Sequence, residues 1–287
     1  MKDCENYIFD LYGTLVDVET DENQPYMWEF LAQVYGSYGC DWDVDELKQA
    51  YCEKVQEEEK ALREKSGYDF PEIRLERVFA RLLFEAPVRH SSSACIAGKN
   101  MDQLYEWYSE KREEVIAEIM KSEWVYLLAN QFRISSRLRL KPYKNTFRVL
   151  EQLKAAGKKI YLLSNAQYMF TMPELEITGL LPCFDAFYIS SDAGIKKPQP
   201  EYMYKLLQEQ GLSVKDCVMV GNELRSDIKI AVKCGMDSIF LNTFELTEEE
   251  IEEQMSALFK EAEADGQNPE LMKRPEIILS GEIGELI

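Results

Sequence analysis

Histidine is almost missing from this chain: His90 is the only one among 287 residues. A single imidazole sets aside histidine-based catalytic triads and histidine-rich zinc sites. Cysteine is present seven times, at 4, 40, 52, 95, 183, 217 and 234, but without a C-x-x-C pair. An odd count at irregular spacing fits reduced thiols in a cytoplasmic protein, not a disulfide framework. No apolar run approaches the roughly 18 residues that span a bilayer, and residues 1–5 lack the apolar core of a secretion signal. Positive charge is also scarce. Thirty-three Lys and Arg face 52 Asp and Glu, a net charge of -19, which excludes nucleic acid and anionic membrane as partners. Catalysis in such a chain must run on carboxylates, lysine, hydroxyls and a hard metal ion.

What is present is the composition of a globular protein, 46% hydrophobic and 30% charged, long enough for one large domain or two ordinary ones. From about residue 142 onward, strand-like and helix-like segments alternate. Residues 159–163, 186–189, 217–220, 238–241 and 276–279 read as strands. Residues 146–156 and 200–211 read as helices stopped by Gly157 and Gly211, with a further helix over about 227–234. Repeated strand–helix units predict a parallel sheet covered on both faces, joined by a first strand at 7–9. The stretch between is helical. Asp43 and Glu46 resemble a capping box opening a helix that ends near Gly67. Pro71 starts another that stops at Pro87, residues 91–93 form a loop, and a long helix covers about 101–130. Arg133, Arg137, Arg139, Lys141 and Lys144 form a basic run, read as solvated surface with an anion-facing hinge as the alternative. Tyr26, Trp28, Phe30, Tyr35, Tyr38 and Trp42 read as helix-packing residues. Thr247 and Glu250 cap an amphipathic helix that buries Ile251, Met255, Leu258 and Phe259.

The strand ends carry the chemistry. The apolar run 7–9 stops at Asp10, and Gly13 and Thr14 turn the chain just beyond it. A carboxylate held at a strand's carboxyl tip, where open α/β sheets bind ligands, can serve as a nucleophile. The strand at 159–163 ends in Ser164 and Asn165, a hydroxyl and adjacent N–H groups suited to an oxyanion. After residues 186–189 comes Lys197, followed at once by Pro198. The strand at 217–220 ends in Gly221, Asn222 and Glu223, with Asp227 beyond, oxygen ligands that can complete a Mg²⁺ site with Asp10.

The ordered set D-x-x-G-T, S-N, K-P-x-P and G-N-x-x-x-x-D, each after an apolar strand, resembles the haloacid dehalogenase-like hydrolase superfamily. The resemblance implies an α/β fold: a Rossmann-like parallel sheet core at residues 1–17 and 140–287, with an inserted all-helical, C1-type cap domain at 18–139. It implies Asp10 as nucleophile and Mg²⁺ ligand and the Tyr12 backbone carbonyl as a second ligand. Asn222 or Asp227 would serve the metal. Gly13, Thr14, Ser164, Asn165 and Lys197 would bind substrate, Ser164 holding phosphoryl oxygens and Lys197 offsetting charge. The implied partner is a small phosphorylated metabolite.

Two positions depart from that pattern. Phosphatases of the family usually carry Asp where Tyr12 stands, as general acid and base, and a carboxylate where Asn222 stands. Losing a general acid–base costs about 10²–10⁴-fold. D-x-Y-G-T-L is itself the pattern of 2-haloacid dehalogenases, which need no metal. Those enzymes bind the substrate carboxylate with an early cap Arg, however, and this chain has none before Arg63. Their last motif also spaces Asn and Asp by three residues, whereas Asn222 and Asp227 are five apart. The sequence therefore reads as a Mg²⁺-dependent phosphohydrolase. A metal-independent dehalogenase and a catalytically weak phosphate-binding scaffold stand as alternatives.

Overall fold

A computed structural model of the chain describes residues 4–87 and 109–287. His90, Cys95, the loop at 91–93 and the first part of the helix expected at 101–130 lie outside the described residues. Among the described residues eight strands run in chain order: β1 (Asn6–Phe9), β2 (Val16–Thr20), β3 (Arg137–Pro142), β4 (Lys159–Ser164), β5 (Ala186–Ile189), β6 (Cys217–Gly221), β7 (Asp237–Leu241) and β8 (Glu276–Ile278). Six of them form one sheet in the order β5-β4-β1-β6-β7-β8, and each neighbouring pair is parallel. β2 and β3 make a separate two-stranded ribbon.

The parallel sheet follows from the apolar runs. β1 and β6 are buried throughout, and β4 is buried after its first residue. Strands covered on both faces read as continuous hydrophobic runs instead of alternating ones. Successive side chains then divide between two cores. Tyr7, Phe9, Leu162 and Val220 pack with Val149, Leu150 and Leu153 of helix Thr146–Ala155 on one face. Ile8, Leu163 and Met219 pack with Tyr202, Met203 and Leu206 of helix Pro200–Gln210 on the other. Helix Glu248–Ala264 begins in the expected capping box, Thr247 with Glu250, and buries Ile251, Met255 and Leu258.

Register places the site. Phe9 pairs with Leu162 on one side and Val220 on the other. Asp10, the Leu163–Ser164 end of β4 and the Gly221–Asn222 turn therefore emerge at one level, at the carboxyl edge of the sheet. The chain runs from β1 outward through β4 to β5, then returns to β1's other side with β6. That reversal is the switch point where such sheets bind ligands.

The chain divides into two compact units: residues 1–19, 62–72 and 138–287, and residues 20–61 and 73–137. The second unit is helical and packs on a ring cluster, with Trp28, Tyr51, Phe79 and Phe132 at centroid distances of 5.4–6.0 Å. The buried Arg81 is held there by Glu57, Glu58 and Glu85.

Several local expectations need correction. The helix expected to start at Pro71 is Leu75–Phe84, because residues 70–72 are extended and pair with 194–196. The described part of the 101–130 helix is two helices, Arg112–Met120 and Glu123–Ser136, the second capped by the Ser122 hydroxyl. Of the aromatics expected to pack, Trp28 and Tyr35 are buried and Tyr38 meets Trp124 edge-on at 5.2 Å with its outer side exposed, whereas Tyr26 and Phe30 face solvent. Within the basic run, Arg139 is paired with Asp17 and Glu19 at 2.6 and 2.7 Å.

Candidate active site

Asp10 follows β1 directly, and its backbone N–H donates to Val220 O at 3.0 Å, extending the strand pairing by one residue. Its carboxylate is buried and faces Lys197, whose Nζ lies 2.7 Å from Oδ1. The same ammonium donates to Leu163 O at 2.7 Å and pairs with Asp227 Oδ1 at 2.7 Å. Lys197 is only 2% exposed, so one buried cation serves two buried carboxylates. Its backbone is clamped as well: the Lys197 N–H donates to Asn165 Oδ1 at 2.8 Å, and Asn165 Nδ2 donates to Lys197 O at 3.0 Å.

The other expected residues arrive from neighbouring loops. Ser164 Oγ lies 3.4 Å from Asp10 Oδ1. The Thr14 hydroxyl stands 3.2 Å from Asp10 Oδ2 and 3.1 Å from Asn222 Oδ1, so its single proton is shared between two acceptors. Gly13 has φ +82, and a Cβ there would lie 2.2 Å from the Asn222 amide. Only glycine allows that turn and that approach together. Asn222 Nδ2 donates to Thr243 Oγ1 at 3.0 Å, and Thr243 donates to Gly13 O at 2.7 Å. Asp227 Oδ2 accepts the N–H groups of Asn222 and Glu223 at 3.1 and 3.0 Å, a carboxylate framing its own loop. These elements enclose a cavity of about 190 Å³ lined by Asp10, Tyr12, Asn165, Lys197, Asn222 and Phe244, among others.

Electrostatics follow from burial. Desolvation raises the Asp10 carboxyl from 3.8 to about 6; Asp227 pushes the same way, and Lys197 opposes both. For Lys197 burial acts downward, but Asp10 and Asp227 outweigh it and hold the ammonium above its ordinary value. Two carboxylates against one ammonium leave a negative charge in a cavity rich in oxygen donors, a site that fits a hard divalent cation. Among the described residues, no group of three or more His, Cys, Asp and Glu gathers into a metal cluster. A cation here must therefore draw on amide or carbonyl oxygens as well.

Tyr12 behaves differently from an acid in the cavity. Its hydroxyl donates to Glu174 Oε2 at 2.5 Å and lies 3.2 Å from Thr171 Oγ1. Glu174, on helix Tyr168–Thr178, is 2% exposed. Sequence reasoning missed it, along with Phe244 at the cavity wall. The available signal was a lone acid on a helix whose only other polar residue from Met169 to Leu175 is Thr171.

The geometry is that of a parallel α/β sheet with a buried carboxylate at its switch point. The model of the haloacid dehalogenase-like hydrolases matches residues 5–235, and the chain belongs to that family of hydrolases. It is 33% identical over 111 residues to a glyceraldehyde 3-phosphate phosphatase of Methanothermobacter thermautotrophicus, covering 39% of this chain and 49% of the relative. It is 35% identical over 92 residues to a phosphoglycolate phosphatase of Yersinia pseudotuberculosis, covering 32% and 39%. The chain thus spans about half or less of these two curated relatives. In fold it is similar to a haloacid dehalogenase-like hydrolase of Bacteroides fragilis, with a TM-score of 0.50 and 15% identity over 99% of this chain and 100% of that one. No described helix is long and apolar enough to cross a membrane.

Proposed function

We propose that this chain is a Mg²⁺-dependent phosphohydrolase acting in the cytoplasm on a small phosphorylated metabolite, through an aspartyl-phosphate on Asp10. The observation that carries the reading is the buried Asp10 carboxylate at the sheet's carboxyl edge, 2.7 Å from the Lys197 ammonium. The activities for which the two relatives are named, both on small phosphate esters, support the substrate class.

In this reading an Asp10 oxygen attacks phosphorus, the bond to the leaving oxygen breaks, and that oxygen takes a proton. Water then attacks the aspartyl-phosphate, releases inorganic phosphate and restores the carboxylate. Ser164 and Asn165 hold the phosphoryl oxygens, Gly13 and Thr14 shape the turn beneath them, and Lys197 offsets the charge. Asp10, the Tyr12 carbonyl and Asn222 would hold Mg²⁺, with Asp227 contributing through what its other bonds leave free. The ion would supply charge neutralisation at the transferring group. The helical insert at 18–139 is then a C1-type cap domain that supplies substrate specificity, and residues 1–17 and 140–287 are the catalytic core.

Tyr12 stands where family phosphatases usually carry an acid, and its proton is engaged by Glu174. A phenol with an unperturbed pKa of about 10 is a poor proton donor near neutrality. Substrates with easily expelled leaving groups are therefore favoured. With Mg²⁺ present, acetyl phosphate is hydrolysed with a kcat/KM about 10²-fold or more above that of a sugar phosphate, and Asp10→Asn abolishes both activities while the protein stays folded. Equal rates on the two substrates, or turnover in the variant, would defeat the reading. Halide release from a 2-haloacid in EDTA would support the dehalogenase alternative instead.

A further inference from the structure

Residues 62–72 lie within the helical insert by sequence but belong to the sheet unit by packing. Tyr68 joins the core beneath Ile195 and Tyr202. Residues 70–72 are extended and pair antiparallel with the chain just before Lys197: Pro71 bridges Ile195, Lys196 N–H donates to Phe70 O at 3.0 Å, and Glu72 N–H donates to Gly194 O at 3.2 Å.

Glu72 then reaches both anion-facing loops. Its Oε1 accepts from Gln167 Nε2 at 3.2 Å, in the loop that follows β4 and carries Ser164 and Asn165. Its Oε2 accepts from Ser190 Oγ at 3.2 Å, at the start of the short helix Ser190–Ala193 that follows β5 and leads to Lys197. Lys196 Nζ stands 3.6 Å from the same oxygen. Ser190 Oγ in turn accepts the Ala166 N–H at 2.8 Å, and Ser191 Oγ accepts the Tyr168 N–H at 2.8 Å. Ser190 thus links the Ala166 backbone to the Glu72 carboxylate, its one hydroxyl proton shared between Glu72 Oε2 and Ala166 O at 3.1 Å. On the cavity side the Asn165 amide ties the same two loops at Lys197.

We propose that Glu72 is a positioning residue for the active site, bracing the Ser164–Asn165 loop against the Lys197 loop so that both meet one phosphoryl group. The assignment rests on the phosphohydrolase reading. Asn165 ties the two segments on the cavity side, and Ser190 and Ser191 tie them behind it; Glu72 adds the one carboxylate that grips both Gln167 and Ser190 and fixes their relative position. A misplacement near 1 Å between binding groups costs about 10²-fold in rate, without any contact between Glu72 and the reacting atoms.

The test uses the full chain with Mg²⁺, reading inorganic phosphate affinity and kcat and KM on acetyl phosphate, alongside the thermal midpoint. Glu72→Ala is expected to lose about 10- to 100-fold in kcat/KM and to weaken phosphate binding about tenfold or more. Ser190→Ala should lose at least as much, because it removes the Ala166 bonds as well as the one to Glu72, and the double variant should lose less than the sum of the two, because they share the Glu72–Ser190 bond. Glu72→Gln, which keeps an acceptor for Gln167 and a partner for Ser190, should recover most of the activity. Lys196→Met should stay close to wild type. A purely structural anchor predicts instead that folded Glu72→Ala or Ser190→Ala protein binds phosphate and turns over like wild type, which overturns the assignment. If wild-type protein neither binds phosphate nor hydrolyses acetyl phosphate, the phosphohydrolase reading falls and Glu72's role falls with it.

Discussion

Asp10 combines two properties that pull against each other. It must be ionised to attack, yet burial and the neighbouring Asp227 raise its pKa to about 6 despite Lys197. The folded, metal-free protein therefore binds the Asp10 proton more tightly than the unfolded chain does. The sign follows from linkage: this contribution to stability is fully present below the ordinary value of 3.8, is lost as pH rises towards 6, and is constant above it. Asp10→Asn, which cannot ionise, should gain stability relative to wild type across that interval in EDTA. Urea midpoints measured from pH 4 to 8 check this: the variant's advantage grows up to about pH 6 and then levels. A gap that shrinks with rising pH would show that Lys197 outweighs burial. Mg²⁺ should reduce the effect, since a divalent cation favours the ionised carboxylate. Tyr12 shows why a motif residue's partner matters as much as its identity. Its hydroxyl is committed to Glu174, a residue 162 positions away that no local pattern connects to it.

At the scale of elements, the end of β6 sets the site's second wall. Gly221 closes that strand with no room for a side chain: a Cβ there would sit 2.3 Å from Asp227 Oδ2 and 2.4 Å from Asp227 Cβ. Asp227 cannot swing away freely, because its oxygens hold two backbone N–H groups and Lys197. Gly221→Ala should therefore destabilise the fold by about 1–3 kcal/mol, read from denaturant midpoints, and should weaken activity as the Asn222 turn shifts. A change under about 0.5 kcal/mol would mean that the loop yields without cost. The helices teach a complementary lesson. Pro71 has the character of a helix start, yet pairing with residues 194–196 holds it extended and delays the helix to Leu75. Tertiary contact overrode a local signal there. The capping box at Thr247 and Glu250 met no such competition and formed as its residues dictate.

Across the whole molecule, the sheet was legible because parallel strands buried on both faces leave continuous apolar runs, and each run here stops at a polar residue or, after Val220, one glycine short of one. Their order along the chain was enough to connect Asp10, Ser164, Lys197 and Asn222 before any geometry was known. The register that levels Phe9 with Leu162 and Val220 was not legible, since pairing across 150 to 210 residues leaves no mark in any one segment. For the same reason the return of residues 62–72 to the sheet unit, and Glu72 with it, escaped a reading that moves along the chain. The exposed Tyr26 and Phe30 escaped it too, because an aromatic in a helix reads alike on either face. The claim on which the account turns is that the Asp10 carboxylate takes the phosphoryl group. Rapid quenching of turnover with ³²P-labelled acetyl phosphate and Mg²⁺, followed by peptide mapping, tests it most directly. The account predicts acid-stable, hydroxylamine-labile label on the peptide containing Asp10, formed and lost at the rate of turnover. Sustained turnover with no protein label, or with label on another residue, would contradict it.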